Sequence, residues 1–410
     1  DVISAHETQL AQLADELERS GTMSGSSASR AQTLFEFMHR RILCGGYQLD
    51  STDVSLVLRE GRFNCVSASV LFNCLAARFG LCACGLELPG HAMSRLFLPQ
   101  GTLDVETTCP EWFRLMNDPK KQAELVEKTI GIRLETGCAA GQRRQVSDVE
   151  LVATIYYNRG VDLLAEKRFA EAAAANAKAI RLDPSNTTAH GNLLATINNW
   201  AIELDGEGCH PEAIELLRQG IALDPGYETF KVNYVHVCSQ WIEELCRADR
   251  FREASELLAR ADDGRVEAPY FRQARLDLCR RWARACFVAE KNDQAFAAFD
   301  EARRFHDRLP EVLEAEVAEV NCQALNLVNE GRLADAVALF DQALLRQPDS
   351  TLLAENRRAI MMRWTMAASE SGGYPEVTLP SPDDRLLPGR YRSTRGGPGR
   401  PDRPILSDRD

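Results

Sequence analysis

A spacing of 41 residues recurs along much of this chain and excludes most folds at once. Trp200, Trp241 and Trp282 lie 41 apart, and further steps land on Gln323 and Trp364. Leu163, Leu204, Leu245, Cys286 and Leu327 form a second ladder with the same step. Ala172, Ala213, Ala254, Ala295 and Ala336 form a third. Three ladders in one register mean that a single supersecondary unit is stacked about five times.

The unit's chemistry is helical. Ala172, Ala179 and Pro184 set offsets of 7 and 5, which Ala213, Gly220 and Pro225 repeat, as do Ala336, Ala343 and Pro348. Small residues seven apart share one helix face, where a second helix can approach closely. The proline stops the helix and turns the chain. Phe299 and Phe340 fill the bulky slot between the two alanines; Leu217 and Leu258 take it elsewhere. Units three and four carry Val266 and Asp307 at the proline position.

The segment "YNRGVDLLAEKRFAEAAAANAKAIRLDP" resembles the tetratricopeptide repeat (TPR). The usual TPR period is 34. Seven more residues are about two helical turns, so the faces stay in phase. The surplus falls between each proline and the next tryptophan, which predicts long first helices. HEAT-like pairs, with periods near 41, are the alternative description. Residues 150–369 are therefore expected to form an all-α, TPR-like solenoid of five helical pairs, capped by a helix over 350–369. The Trp ladder is read as core. His190, His210, His236 and His306 have no consistent phase and receive no role.

Residues 1–149 lack the repeat. Leu10, Leu13 and Leu17 suggest an amphipathic helix, and a second is expected from Ala31 to about Cys44, ended by Gly45-Gly46. After Asn64, the spacing of Val66, Val70, Leu71, Cys74 and Leu75 predicts a buried helix with Cys65 in its first turn. Gly61 precedes this helix and Gly80 ends it. Alternating segments around "AMSRLFL" and "TLDVETT", separated by Pro99-Gln100-Gly101, predict a β-hairpin. His91 opens its first strand and Asp104 lies in its second.

That order has chemical meaning. A thiol at a helix N-terminus feels the positive end of the macrodipole, which favours the reactive thiolate. An imidazole in reach takes the thiol proton and returns it to a leaving amine. A carboxylate on the other ring nitrogen fixes the tautomer. The Cys65 N–H could serve in an oxyanion hole. Asn64 could add a donor there or simply cap the helix. Arg95 could bind a substrate carboxylate or face solvent, and Cys74 is read as packing.

"FNCVSASVLFNCLAARFGL", "LPGHAMSRL" and "LDVETT", in this order, resemble the transglutaminase-like superfamily in its SirB1-type branch, and the preceding "STDVSLVLREGRFNC" suits it too. The resemblance covers residues 30–115. It implies a papain-like α+β fold with Cys65, His91 and Asp104 as a catalytic triad. A symmetric turn at residues 99–101 would set Asp104 opposite about Leu96, away from His91. Glu106, on the same strand face by the period of two, is the second candidate acid. The function expected is thiol-dependent acyl transfer on a protein or peptide, as protease, deamidase or transamidase, with the solenoid's concave face recruiting the substrate. The competing expectation is a non-catalytic scaffold.

Composition narrows the remaining classes. With 48 Lys+Arg against 60 Asp+Glu, the net charge of −12 argues against sequence-independent nucleic-acid binding. The 13 cysteines are odd in number and widely spread, which reads as reduced thiols in a cytoplasmic setting. Cys82 and Cys84 lack a second pair for zinc, and no H-E-x-x-H or phosphate loop occurs, so neither metal nor cofactor is expected. Ser67, Ser69, Asn73 and Arg78 interrupt the most apolar stretch, so no membrane span is expected. The chain opens on Asp1 rather than Met, consistent with a processed product or a fragment. Residues 370–410 hold seven of the 17 prolines and seven arginines against seven acids; this segment is expected to be disordered.

Overall fold

The computed structural model describes residues 2–130, 143–262, 268–305 and 309–370. All of the expected disordered tail beyond residue 370, with Val266, His306 and Asp307, lies outside these residues. Two units divide the chain, 1–200 and 201–410.

The first unit begins with α1 (Val2–Arg19) and α2 (Ser27–Arg41). β1 (Gly46–Tyr47), α3 (Val54–Glu60) and β2 (Arg62–Phe63) lead into α4 (Cys65–Arg78). β3 (Cys82–Leu88), β4 (His91–Leu98) and β5 (Gly101–Val105) follow as an antiparallel meander. α5 (Pro119–Ile130) comes next, and β6 (Arg144–Val146) then pairs with β3, giving the sheet order β5-β4-β3-β6. α4 packs on β3 and β4 and is buried on nearly every side of its first half. Towards its C-terminus Cys74, Ala77 and Arg78 emerge as one exposed stripe, so Cys74 is not the buried packing residue expected. The core gathers Leu34, Phe35 and Met38 of α2 with Leu71, Phe72 and Leu75 of α4 and Leu86 and Leu96 of the sheet.

The first helical pair belongs to this same unit. α6 (Asp148–Ala165) lies on α4 and β3, with α7 (Phe169–Leu182) packed along it. Arg144 holds the junction, bonding Asp183 at 2.7 Å and Glu150 at 2.9 Å and pairing with Glu87 at 3.4 Å. Thr154 donates to Glu87 at 2.9 Å, and Asn73 donates to Asp148 at 2.9 Å.

The remaining helices run α8 (Thr187–Gly206), α9 (His210–Leu223), α10 (Glu228–Arg247), α11 (Phe251–Ala261), α12 (Ala268–Val288), α13 (Asn292–Phe305), α14 (Leu309–Asn329), α15 (Leu333–Arg346) and α16 (Thr351–Glu370). First helices of 18 to 21 residues alternate with second helices of 11 to 14. These are TPR-like pairs lengthened on the first helix. In the second unit α10, α12, α14 and α16 stack side by side.

The ladders mark the joints. Each first helix ends in a residue of left-handed conformation: Lys167, Gly208, Asp249, Glu290 and Gly331, with φ from 56° to 79°. The next N–H in each unit bonds back to the carbonyl of Leu163, Leu204, Leu245, Cys286 or Leu327, at 2.8 to 2.9 Å. This is the six-to-one bond of a Schellman motif, made five times. The alanine ladder is wholly buried at all five positions, which lets paired helices touch. Trp200, Trp241 and Trp282 stack on Phe169, His210 and Phe251, the first residue of each second helix. Trp364 ends its ladder exposed. His210 also bridges Asp205 at 2.8 Å and Glu244 at 2.9 Å.

Candidate active site

Asn64 makes Cys65 the first residue of α4. Its side-chain oxygen accepts the N–H groups of Val66 and Ser67, each at 3.0 Å, while Ser67 returns a bond from the Asn64 N–H. This reciprocal box fixes the start of the helix. The Asn64 amide nitrogen donates to the Leu49 carbonyl at 3.0 Å. The amide oxygen and one amide N–H are thus spent on structure, which makes Asn64 the cap of α4.

His91 is the first residue of β4 and faces this helix start. Its Nε2 meets the Glu106 carboxylate at 2.5 Å, with both side chains wholly buried. The other Glu106 oxygen accepts the Thr108 N–H at 3.0 Å and the Thr108 hydroxyl at 2.6 Å. The carboxylate is therefore clamped as an acceptor, and His91 Nδ1 is left for another partner. Burial opposes charge on His91, but the Cys65 thiol and the Glu106 carboxylate outweigh it and lift the ring to about 10. Nδ1 makes no hydrogen bond of good geometry. Thiol and imidazole therefore interact without a formed bond.

Asp104 does not join them. The tight turn at Pro99-Gln100 pairs Leu98 with Gly101, and that register sets Asp104 across from Arg95. Arg95 clasps it through two bonds of 2.6 and 2.9 Å, and Arg143 adds a contact at 3.5 Å. Arg95 is thereby tied to Asp104 rather than open to a substrate. Glu106, just past the last paired residue of β5, is the acid that meets His91.

Three aromatic groups near the site escape the sequence pattern. Tyr47 of β1 has its hydroxyl beside the Cys65 sulfur; burial, then the charges of Cys65 and Glu106, push its pKa up. His39 of α2 packs between Phe35 and Phe63 near Glu106, and burial drives it down to about 4. Tyr157 of α6 is raised to about 12 by burial and by the charges of Glu87 and Cys65. Cys65 itself packs among Val66, Val70, Ala92, Val146 and Leu151, so α6 helps cover it. Cys65 is 7% exposed and His91 5%.

Among the described residues no cluster of three or more His, Cys, Asp or Glu could hold a metal, and no helix is long and apolar enough to cross a membrane. The described cysteines are all free thiols.

Comparison with known proteins agrees with this anatomy at the N-terminus. Residues 4–129 match the family described as transglutaminase-like superfamily, so the first part of this chain is a transglutaminase-like domain. No curated protein matches the chain. Among solved structures, similarity extends to TTC0263, a thermophilic TPR protein of Thermus thermophilus, at 17% identity over 51% of this chain and 99% of that one, TM-score 0.17. It extends also to YrrB, a TPR protein with an unusual peptide-binding site, at 17% identity, 50% and 92% coverage and TM-score 0.17. A third is the TPR domain of P58(IPK), at 15% identity, 62% and 64% coverage and TM-score 0.18.

Proposed function

We propose that the N-terminal domain carries out thiol-dependent acyl transfer, with Cys65 as nucleophile, His91 as its general base and acid, and Glu106 as the group that orients the imidazole. One observation carries this reading: a cysteine at the first turn of a capped helix faces a buried imidazole whose far nitrogen is held by a clamped carboxylate. The Glu106 bond at Nε2 leaves Nδ1 to take the thiol proton. The resulting thiolate attacks the carbonyl of an amide, and His91 protonates the departing amine. The thioester then passes its acyl group to water or to an amine. In this reading Glu106 replaces Asp104.

The helical pairs would bring the substrate. An open groove of about 1300 Å³ lies along α12, α14 and α16, where Leu313, Val317 and Leu352 stand among charged side chains such as Arg280, Arg281 and Glu314. An extended peptide with apolar and charged side chains is the ligand such a mixed surface suits.

A second reading, a scaffold whose N-terminal domain no longer turns over, draws on the burial of Cys65 and His91. Unfolded casein with a dansylated primary amine separates the two. Acyl transfer predicts released ammonia, new peptide ends or incorporated dansyl label, each lost in Cys65→Ala. No Cys65-dependent product, together with no acyl adduct on Cys65 from p-nitrophenyl acetate, would establish the scaffold.

A further inference from the structure

Two glycines bring an otherwise distant segment to the nucleophile. Gly45 and Gly61 cross so closely that a Cβ on Gly45 would stand 2.4 Å from the Glu60 carbonyl oxygen. Gly61 has φ of 70°, which a side chain would strain. This crossing lets β1 run parallel to β2, pairing Tyr47 with Phe63, two residues before Cys65. The bond from Gln48 N–H to the Phe63 carbonyl, at 2.8 Å, extends the pairing. The Tyr47 ring packs edge-on against Phe63 at 6.1 Å. The Asn64 amide then ties the same segment down at Leu49. Strand, ring and cap thus hold the half-buried tyrosine beside the first turn of α4, where its hydroxyl interacts with Cys65.

An acyl-transfer site needs donors for the oxygen that gains charge, placed beside the nucleophile before the reaction starts. The cap takes the N–H groups of Val66 and Ser67 and leaves that of Cys65 out. The Asn64 carboxamide is tied down at its oxygen by the cap and at its nitrogen by Leu49.

We propose that the Tyr47 hydroxyl and the Cys65 N–H together form the oxyanion hole of this site, which makes Tyr47 a catalytic residue. The proposal rests on the acyl-transfer reading above. The Cys65 sulfur bonds to the carbonyl carbon, and the C=O π pair moves onto oxygen. Tyr47 and the Cys65 N–H each donate to that oxygen. The pair returns as the leaving group departs, and a thioester remains. Burial and the neighbouring negative charges keep the phenol protonated, hence a donor.

The test uses two small electrophiles on the full chain. Acylation by p-nitrophenyl acetate builds an oxyanion, whereas alkylation by iodoacetamide does not. Tyr47→Phe removes only the hydroxyl. We expect its Cys65-dependent burst of p-nitrophenolate to slow tenfold or more, with alkylation of Cys65 within about twofold of wild type. Buried Cys109 staying unlabelled reports an intact fold. Acylation within twofold of wild type overturns the proposal. So does an equal fall in both rates, which would place Tyr47 on the thiol instead. Wild type that is alkylated quickly at Cys65 but never acylated overturns the acyl-transfer reading itself.

Discussion

In the N-terminal domain buried polar side chains converge: His91, Glu106 and Thr108 chain together beside Cys65. In the repeats buried acids are closed off by arginines. Arg303 and Arg346 hold Glu316 there, and Arg284 holds Glu319 at 2.6 and 3.0 Å. Cysteines show the same split. Cys238 and Cys279 lie in the repeats, where burial pushes both up to about 12. They are inert packing. Cys65 has a helix start, an imidazole and a phenol around it. A repeated unit spends its buried groups on sameness, whereas a site spends them on one asymmetric point.

The largest effect that would sharpen this contrast lies in the repeats. Phe340→Ala empties a fully buried slot between Ala336 and Ala343. It should cost about 3–5 kcal/mol in urea unfolding and leave Cys65 alkylation unchanged. Within the domain, Glu106→Gln should slow Cys65 alkylation about tenfold or more at neutral pH, while Asp104→Asn stays within twofold. Equal effects of the two would break the assignment of the acid.

A pH effect follows from His39. Its folded pKa of about 4 lies below the ordinary value of 6.5, so the unfolded chain binds the proton first. Stability should fall as pH drops from 6.5 towards 4, and His39→Phe should flatten that limb of a urea-midpoint profile. The smallest change is Lys167→Gly, which relieves a left-handed side-chain residue at a helix end. A gain of roughly 0.5–1 kcal/mol in unit 1 is expected from urea midpoints.

The repeats were legible because each ladder residue does the same local job in every unit. The alanines, the leucine ladder and the long first helices follow from spacing alone. The left-handed joints were not, because Lys167, Asp249 and Glu290 stand where glycine would signal the turn. In the domain, helix start, strands and the order of Cys65 and His91 were readable from local pattern. The acid was legible only as two candidates on one strand face: the hairpin register sets Asp104 on Arg95, and Glu106 is the one that meets His91. Tyr47 was hidden because β1 and β2 are two residues each, held by a glycine crossing that has no periodic signature. Cys74 misled because a helix buried all round at one end opens at the other.

If the site works as proposed, Cys65 and His91 act as one reactive pair. Mass-spectrometric mapping of iodoacetamide adducts, on wild type and on His91→Ala from pH 5.5 to 9, tests it most directly. Cys65 should be the fastest-labelled cysteine at pH 6.5, and His91→Ala should slow it at least tenfold. If Cys65 reacts no faster than exposed Cys82, or His91→Ala leaves its rate unchanged, the pair does not exist.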